Sequence, residues 1–485
     1  MDTRVVEEQW KLLIDGKRVD AADGAVLAVR DPATEKIVAC VAQAGAEDID
    51  RAVAAARRAL GRDSWGGFRA ADRGRVLYRM AGLMREYQEE FIRLESLSAG
   101  KPVSAVRRQD VPAAIDTLEY YAGWADKING DVIPARPDAF TYTVREPVGV
   151  VGIIIPWNFP LMIGMWKIAP ALACGCTVVV KPAELTPLSA HLLGQIALEA
   201  GLPPGALNIL PGKGTVAGMA LVEHADVDKI SFTGSPAVGK TIMRGAANNV
   251  KRVSLELGGK SANIVFADAN LDAAAKATAA GIFFNAGQVC SAGSRVLVQD
   301  SVYEEFVDLV VARAKKLRIG DTQDTATSLG PVISKSQMEK ILDYVEVGKQ
   351  EGAELVTGGR RAAETGYFIE PTVFADVDNS MRIAQEEIFG PVLGVIKFKT
   401  EDEAVQIANG TNYSLAAGLW TRDITRAHSL TPQIRAGTVW VNTYGPTDIR
   451  LPWGGARDSG LGRERGEAAL EIYTEPKAIW IALNQ

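Results

Sequence analysis

The stretch Thr177–Lys181, which reads Thr-Val-Val-Val-Lys, decides the fold class because a helical pattern follows it directly. Its unbroken run of β-branched residues predicts a strand that is buried on both faces. Leu188–Ala200 follows as a predicted helix, and the glycine- and proline-rich segment Gly201–Gly205 closes that helix. A strand that leads through a helix to the next strand is typical of a parallel sheet.

The same alternation extends in both directions along the chain. Further strands are predicted at Asn208–Leu210, Lys229–Phe232, Val253–Leu257 and Asn263–Phe266, and further helices at Val216–Glu223, Val238–Ala247 and Ala269–Phe284. A second alternating set runs from Arg295 to about Phe398 and predicts a second α/β domain, with helices at Tyr303–Leu317 and Ser336–Glu351 and strands near Leu355 and Thr372. The predicted fold class is therefore α/β, with a doubly wound parallel sheet in the first domain.

Two strand-like segments lie outside these units. Thr141–Arg145 and Ala478–Ala482 both alternate between apolar and polar residues. We interpret them as edge strands that pair across subunits, which predicts a homo-oligomer.

Size and composition restrict the possible classes of protein. A chain of 485 residues predicts two or three domains, and a net charge of −6 does not favour nucleic acid as a partner. The longest aliphatic run, Val148–Pro156, is too short to span a bilayer, and the polar, acidic segment Met1–Glu8 predicts no signal peptide. Four cysteines in so long a chain do not form a disulfide framework, so we expect a cytoplasmic location.

The segment Phe283–Ser291 offers a candidate nucleophile. It places Cys290 beside small and polar residues at the end of an apolar stretch, and Gly287 leaves room for a substrate. Taken alone, a cysteine is more often a small buried hydrophobe, which is the interpretation that we give to Cys174 and Cys176. A Cys-x-Cys pair without a nearby histidine is a weak metal signal, so no metal site is predicted.

A carboxylate and an amide could act together with this thiol. Glu256 lies 34 residues before Cys290, at the end of a predicted strand, and apolar surroundings can raise the pKa of a glutamate toward that of a general base. It could equally be a strand-end residue that pairs with Lys260. Asn158 stands in the proline-bounded turn Pro156–Pro160, where its amide could donate to an oxyanion or simply belong to a turn.

Two motifs could bind phosphate or ribose. Gly234–Thr241 matches G-x-x-x-x-G-K-[ST] and, read literally, predicts a nucleoside triphosphatase. Pro236 removes one amide donor from that loop, and a helix N-terminus can equally hold a dinucleotide pyrophosphate. Lys181 and Glu184 follow a strand end, where doubly wound folds bind ligands, and both could contact a ribose.

These motifs, in this order and spacing, resemble the aldehyde dehydrogenase superfamily, and specifically its NAD(P)-dependent, hydrolytic branch that does not acylate CoA. The similarity covers nearly the whole chain, from Ile14–Gly16 and Asp31–Thr34 to Ser459–Glu464. It assigns Gly234–Thr241 to the family's pyrophosphate-binding turn. It implies a Rossmann-like doubly wound cofactor domain, a second α/β catalytic domain and a small β oligomerisation extension.

The resemblance implies domain limits and catalytic roles. The cofactor domain would comprise residues 1–122 and 147–257, the catalytic domain 258–445 with 446–470 returning to it, and the oligomerisation strands 123–146 and 471–485. Cys290 would be the nucleophile, and Asn158 an oxyanion donor. Glu256 would activate water, while Glu464 and Lys167 would relay protons.

The resemblance also implies how the cofactor binds. The implied contact residues are Ile154, Trp157, Lys181, Glu184, Gly214, Phe232, Gly234, Ser235, Val238, Gly239, Leu257, Glu387 and Phe389. A glutamate at position 184 would accept hydrogen bonds from ribose hydroxyls and repel a 2′-phosphate. The expected cofactor is therefore NAD, with NADP possible.

The substrate is the least determined feature. By position the tunnel would be lined by Phe159, Met162, Ile163, Trp166, Phe284, Val289, Ser291 and Tyr444. This apolar, partly aromatic set favours an uncharged aliphatic or aromatic aldehyde. Amino- and betaine-aldehyde dehydrogenases are the alternative, because aromatic rings can hold a cation. No arginine stands out as an anchor for a carboxylate. A CoA-acylating enzyme and a phosphate-loop NTPase are further alternatives, and the oligomer would be a dimer or a tetramer.

Overall fold

A computed structural model describes residues 9–483 of the chain. The segment Met1–Glu8, for which no signal peptide is predicted, and the last two residues lie outside the described part. Within it the strands, numbered along the chain, are β1 Gln9–Trp10, β2 Leu12–Ile14, β3 Lys17–Val19, β4 Val26–Arg30, β5 Ile37–Ala42, β6 Ala139–Pro147, β7 Val150–Ile154, β8 Thr177–Lys181, β9 Leu207–Ile209, β10 Lys229–Thr233, β11 Arg252–Glu256, β12 Ala262–Val265, β13 Arg295–Gln299, β14 Glu354–Thr357, β15 Thr372–Ala375, β16 Val392–Phe398, β17 Ala416–Trp420, β18 Thr438–Val441, β19 Gly460–Leu461 and β20 Thr474–Ala482.

The α-helices of the same residues are α1 Ala46–Ala59, α2 Ala70–Glu86, α3 Gln88–Ala99, α4 Val103–Ala105, α5 Val111–Trp124, α6 Pro160–Ala173, α7 Leu188–Glu199, α8 Met219–Glu223, α9 Pro236–Ala246, α10 Leu271–Phe283, α11 Tyr303–Ala314, α12 Lys335–Gln350, α13 Arg382–Gln385, α14 Glu401–Asn409, α15 Ile424–Leu430 and α16 Ala468–Glu471. Most of the helices predicted from periodicity lie within a few residues of these bounds, whereas Val216–Glu223 begins as a π-helical turn, Gly214–Gly218.

The first domain is built on a sheet with the strand order β19-β11-β10-β7-β8-β9-β2-β3. The strands from β11 to β9 pair in parallel, with α6 and α7 as crossovers on either side of β8. Strand β8 coincides with the predicted Thr177–Lys181, and all five of its residues are buried. This arrangement confirms the predicted doubly wound sheet. Strands β2 and β3, which were not predicted, extend the sheet antiparallel at one edge.

The second domain holds a seven-stranded sheet in the order β14-β15-β16-β13-β12-β17-β18. Its strands are parallel except for β14, which pairs antiparallel with β15. The chain passes from the first sheet to the second through the short segment 257–261, which joins β11 to β12. A second α/β domain is therefore confirmed. The residues of segment 257–261 lie where the carboxyl ends of the first sheet's parallel strands meet the second domain.

Segment 446–470, which was predicted to return to the second domain, contacts both sheets. Ala456 and Arg457 are hydrogen-bonded to Ser414 and Thr411, whereas strand β19 pairs antiparallel with β11 at the edge of the first sheet. Gly460 makes this pairing possible, because a Cβ there would lie 2.1 Å from the carbonyl oxygen of Leu255. The domain limits stay predictions.

The predicted edge strands pair with each other. Strands β6 and β20 form a two-stranded antiparallel sheet whose register runs from Thr474 opposite Pro147 to Ala482 opposite Ala139. Phe140, Trp480 and Ile481 on this sheet are exposed. Whether the sheet joins subunits remains a prediction.

Candidate active site

Cys290 is carried by a loop with unusual backbone conformations. Helix α10 ends at Phe283, and Asn285, Ala286 and Gly287 then adopt φ values of +49°, +52° and +72°. Left-handed conformations are costly for residues with a Cβ, so this loop is held in place by its surroundings. A Cβ at Gly287 would lie 2.0 Å from the carbonyl oxygen of Gly390, which explains why glycine stands there.

Side-chain amides lock this loop to the turn that contains Asn158. The Nδ2 of Asn158 donates to the carbonyl oxygen of Gln288 at 2.9 Å, and the Nδ2 of Asn285 donates to the carbonyl oxygen of Asn158 at 3.3 Å. The Oε1 of Gln288 accepts from the backbone N–H of Ile333 at 2.8 Å. These buried hydrogen bonds fix the Asn158 amide relative to the backbone just before Cys290. Sequence reasoning did not identify Asn285 and Gln288 as the residues that do this.

Two glycines of segment 257–261 explain how Glu387 and the Cys290 backbone come close to each other. A Cβ at Gly258 would lie 2.1 Å from Oε2 of Glu387, and a Cβ at Gly259 would lie 2.4 Å from the carbonyl oxygen of Cys290. The backbone N–H of Gly259 donates to Oε1 of Glu387 at 2.9 Å. Because neither glycine has a side chain, Glu387 and the Cys290 backbone both approach the segment that directly follows Glu256.

The thiol and the carboxylates of this region influence one another. Burial, followed by the negative charges of Glu256 and Glu387, raises the pKa of the Cys290 thiol to about 12. Burial also raises the pKa of Glu387 to about 7. The effect of the Glu256 charge on Cys290 means that the candidate base and nucleophile share one environment. Displaced pKa values of this kind concentrate at functional sites.

Glu256 lies at the end of β11 and is buried. Burial raises its pKa well above the usual range, the charge of Glu464 raises it further, and the cations Lys167 and Arg463 oppose that rise. Lys167, on α6, forms a buried ion pair with Glu464. The hydroxyl of Ser231 also donates to Oε1 of Glu464, at 3.4 Å. The structure therefore groups all three predicted carboxylate and amine residues.

Most of the predicted cofactor residues lie at or just after the carboxyl ends of β7, β8, β10 and β11, while Gly214 follows β9, and Glu387 and Phe389 precede β16. Lys181 ends β8, and its Nζ donates to the carbonyl oxygens of Pro182 and Gly212 at 2.9 and 3.0 Å. Glu184 accepts from the backbone N–H of Gly214 at 2.6 Å and lies 3.6 Å from the Lys181 ammonium. Glu184 is thus held at the end of the strand by one amide and one cation.

The turn after β10 opens into α9. Ser235 caps this helix, and its Oγ accepts from the backbone N–H of Val238 at 3.4 Å. Closely packed side chains support the turn, since a Cβ at Gly234 would lie 2.3 Å from the ring of Phe232 and one at Gly239 would lie 2.7 Å from Leu257. The N-terminus of an eleven-residue helix suits a pyrophosphate.

A phosphate loop at this turn would need the side chain of Lys240 to be available to a terminal phosphate, and the structure shows a different environment for this lysine. The Nζ of Lys240 forms an ion pair with Asp458 at 3.0 Å. A lysine that is held by a carboxylate is poorly placed to hold a terminal phosphate.

The other side of this cleft is aromatic. The ring of Trp157 meets that of Phe389 edge to face, with 5.2 Å between centroids, and Phe389 has a φ of +57°. Ile154, at the end of β7, is buried. A strand-end carboxylate, the N-terminus of α9 and the half-buried carboxylate of Glu387 together form a set of groups that fits a dinucleotide.

A cavity of about 600 Å³ leads to Cys290 from the surface. All eight predicted substrate residues line it: Phe159, Met162, Ile163, Trp166, Phe284, Val289, Ser291 and Tyr444. Helix α6 presents Met162, Ile163 and Trp166 on one face at helical spacing. Sequence reasoning missed further lining residues, among them Gln109, Lys276, Arg313, Lys316, Leu317 and Thr447. Of these, only the helical spacing of Lys276 relative to Phe283 and Phe284 was a usable signal.

The aromatic residues at one side of the cavity already contact a cation. The guanidinium carbon of Arg465 lies 4.9 Å from the ring centroid of Trp166 and 5.7 Å from that of Trp453. Burial lowers the pKa of Arg465 to about 10, so it stays charged at neutral pH. A positive substrate would meet a neighbouring positive charge there.

Residues 9–483 contain no group of three or more His, Cys, Asp or Glu side chains placed to hold a metal ion. Across the same residues, none of the helices combines the length and the apolar character that crossing a membrane requires.

Comparison with known proteins shows the class. The model of the aldehyde dehydrogenase family matches residues 19–479. Aldehyde dehydrogenase 1A1 of Gallus gallus is 49% identical over 477 residues, which cover 98% of this chain and 94% of that protein. This chain belongs to the aldehyde dehydrogenase family, and the predicted class, an oxidoreductase that acts on an aldehyde group, is confirmed.

Solved structures give the same result. The NAD+ complex structure of aldehyde dehydrogenase from Bacillus cereus has a TM-score of 0.97 and 47% identity, covering 98% of this chain and 97% of that one. The structure of betaine aldehyde dehydrogenase from Staphylococcus aureus in complex with NAD+ has a TM-score of 0.96 and 41% identity, covering 98% and 95%.

Proposed function

We propose that this protein oxidises an apolar aldehyde to its carboxylic acid with NAD+ and water. The observation that most supports the proposal is the segment Glu256–Gly259. It carries a buried carboxylate with a raised pKa, and its two glycines admit both Glu387 and the Cys290 backbone. The candidate base therefore lies in the same four-residue segment that the backbone of the nucleophile and the carboxylate of Glu387 approach.

The first step is attack by sulfur. Cys290 loses its thiol proton to solvent, as the H+ that the overall reaction releases, and its sulfur forms a bond to the aldehyde carbon, which gives a thiohemiacetal. The carbonyl oxygen becomes an oxyanion that accepts hydrogen bonds from the Asn158 amide and the Cys290 backbone N–H. A primary amide has two N–H donors, and within the described part of the chain the Asn158 amide makes one hydrogen bond, to the carbonyl oxygen of Gln288.

Bound NAD+ supplies an acceptor for the hydride that leaves the thiohemiacetal carbon. Cys290 then holds the acyl group as a thioester. Glu256 takes a proton from a water molecule, whose oxygen attacks the thioester and releases the acid and the thiol. Its raised pKa makes Glu256 a stronger base than an exposed glutamate, and the adjacent Glu464–Lys167 pair can pass the proton on.

The cofactor would be held at both ends by carboxylates. Glu184, fixed by Gly214 and Lys181, would accept from the adenosine ribose, while Glu387 would accept from the nicotinamide ribose. Because Glu184 would repel a 2′-phosphate, NAD is favoured over NADP. The Bacillus cereus relative, whose structure is an NAD+ complex, supports this cofactor.

The cavity favours an aliphatic or aromatic aldehyde over an amino- or betaine-aldehyde. Its inner wall is apolar, and Arg465 already lies against Trp166 and Trp453. The similarity to a betaine aldehyde dehydrogenase keeps the cationic substrate as the second candidate. A comparison of nonanal, benzaldehyde and betaine aldehyde under the same conditions separates the two.

The decisive test measures NADH formation with nonanal. Cys290→Ala should abolish turnover, while Cys40→Ala, which changes an exposed cysteine, should leave it unaltered. Glu256→Gln should give a burst of NADH and then a slow steady state, because thioester hydrolysis is impaired. Full activity of Cys290→Ala would refute the assignment.

Two further measurements address the remaining alternatives. Addition of CoA should not increase turnover, whereas a CoA-dependent rise would indicate acyl transfer to CoA. Magnesium-dependent ATP hydrolysis that is lost in Lys240→Ala would indicate an NTPase. We expect none, since Lys240 is paired with Asp458.

The two-stranded sheet β6–β20 is proposed as the subunit contact. Its exposed Phe140, Trp480 and Ile481 leave apolar surface that a second copy would cover. Light scattering should report a dimer or a tetramer for the native chain and a smaller species for Trp480→Ser. The cytoplasmic location stays a prediction.

A further inference from the structure

One helix face follows the substrate cavity from the active site to its mouth. Lys276, Ala279, Ala280, Phe283 and Phe284 all line the cavity, and they recur every three or four residues along and just beyond α10. At a rise of 1.5 Å per residue, Lys276 and Phe284 are separated by about 12 Å along the helix axis. The cavity therefore has an inner end at Phe284 and an outer end at Lys276.

The two ends differ in chemistry. Phe284 stacks on Phe159, with 6.2 Å between centroids, and packs in the same apolar cluster as Cys290. Lys276 and Lys316 at the other end are exposed to solvent. An aldehyde that reaches Cys290 therefore crosses an apolar section and leaves its far end beside these lysines.

The charged residues that line the cavity are all cations. Lys276, Arg313 and Lys316 belong to the lining, to which residues 9–483 contribute no aspartate and no glutamate. Arg313 is paired with Asp272, so its charge is compensated. Among the described residues neither Lys276 nor Lys316 has an ion-pair partner within 4 Å, which leaves two uncompensated positive charges at the mouth.

We propose that Lys276 and Lys316 select aldehydes that carry a carboxylate at the far end of an apolar chain. The proposal rests on the function proposed above and refines its substrate class. Short semialdehydes are disfavoured, because Arg313, the arginine in the described lining, is already paired with Asp272, and a short substrate would leave its carboxylate in the apolar section near Cys290. A longer chain places the carboxylate outside the apolar section, within reach of both lysines.

The expected effect is moderate and depends on salt. A single exposed ion pair contributes little, but two like charges beside low-dielectric walls focus the local field and attract an anion. Ionic strength of about 0.15 M screens exposed charges beyond roughly 8 Å, so the preference should weaken as salt is added. A neutral aldehyde should show no such dependence.

The experiment compares azelaic semialdehyde with nonanal, which has the same chain length without the carboxylate. With saturating NAD+ at low salt, we expect kcat/KM to be higher for azelaic semialdehyde. In the double variant Lys276→Ala/Lys316→Ala, the kcat/KM for azelaic semialdehyde divided by that for nonanal should fall roughly fivefold, which is the scale of one or two exposed ion pairs. Lys315→Ala is the matched control, because Lys315 is exposed next to Lys316 but does not line the cavity.

A second substrate pair tests the length requirement. Succinic semialdehyde should show no advantage over butanal, and the double variant should not change their ratio. A wild-type ratio at or below one for the long pair, or a ratio that is unchanged in the double variant, would overturn the proposal. Turnover of nonanal separates a failure of this proposal from a failure of the proposed function. If the native chain did not oxidise nonanal at all, the proposed aldehyde oxidation itself would be contradicted.

Discussion

The side-chain amide of Asn158 donates to the carbonyl oxygen of Gln288 at 2.9 Å, two residues before the candidate nucleophile. The Nδ2 of Asn285 donates to that same oxygen at 3.3 Å and to the carbonyl oxygen of Asn158 at 3.3 Å. The oxyanion donor is therefore aimed by the loop that carries Cys290. A preorganised donor of this kind does not need to reorient when charge develops on the substrate oxygen.

Replacement of Asn158 by alanine should lower kcat about 100- to 1,000-fold, the usual effect of removing one oxyanion donor. KM should change much less, because the amide interacts most strongly with the developing charge. Steady-state kinetics with nonanal measures both. A loss in KM alone would mean that Asn158 acts in ground-state binding.

Glu464→Gln should move the pH midpoint of thioester hydrolysis to lower pH. The charge of Glu464 raises the pKa of Glu256, and Lys167 lowers it. Loss of that negative charge, with Lys167 left in place, makes ionised Glu256 more favourable. The rate of acid release from the acyl-enzyme, followed against pH, gives the midpoint. An upward shift would show that Glu464 does not act on Glu256 through its charge.

NAD+ affinity should increase as the pH rises from about 6 to 8. The pKa of Glu387 is raised to about 7, and only the ionised carboxylate accepts hydrogen bonds from both ribose hydroxyls. Glu387→Gln should weaken binding and remove this pH dependence, as measured by calorimetry. Glu386→Gln is the control, because its pairing with Arg382 and Tyr344 keeps the pKa of Glu386 below its usual value.

Sequence reasoning located the central strands well because their signal is local. Thr177–Lys181 is buried on both faces, and an unbroken run of β-branched residues is a direct consequence of that burial. It missed β2, whose three residues are too few to show a period and whose partner inside the sheet, β9, lies far along the chain. Pairing over such distances leaves no local pattern.

The candidate site likewise contains residues that short motifs predict and contacts that only the folded chain shows. Cys290, Glu256 and Asn158 stand in short motifs, so their residue types alone suggested chemistry. Arg465 could not be placed against Trp166 and Trp453, because that contact joins segments that only the folded chain brings together. Lys316 was missed for a related reason, since an exposed lysine carries no signal of the surface that it faces, whereas Lys276 could have been found from its helical spacing relative to Phe283 and Phe284.

A buried cluster beneath the active site makes the stability of this protein dependent on pH. Glu95, Lys101 and Asp110 are buried; Lys101 pairs with Asp110 and lies 3.4 Å from the ring centroid of Phe159. Burial raises the pKa of Glu95 from its usual 4.5 to about 7. Between these values the folded chain binds more protons at Glu95 than the unfolded chain does, so the contribution of Glu95 to the free energy of unfolding falls as the pH rises.

Glu95→Gln should remove this contribution, because a glutamine is uncharged yet can still accept the hydrogen bond from Ser189. The midpoint of urea unfolding should therefore decline less steeply between about pH 4.5 and 7 in the variant than in the native chain, and the difference corresponds to about 3 kcal/mol. Glu90→Gln, which changes a half-buried glutamate paired with Arg93, should leave the slope unaltered. Parallel curves for the native chain and Glu95→Gln would mean that Glu95 is ionised when folded, with Lys101 compensating its charge as well as that of Asp110.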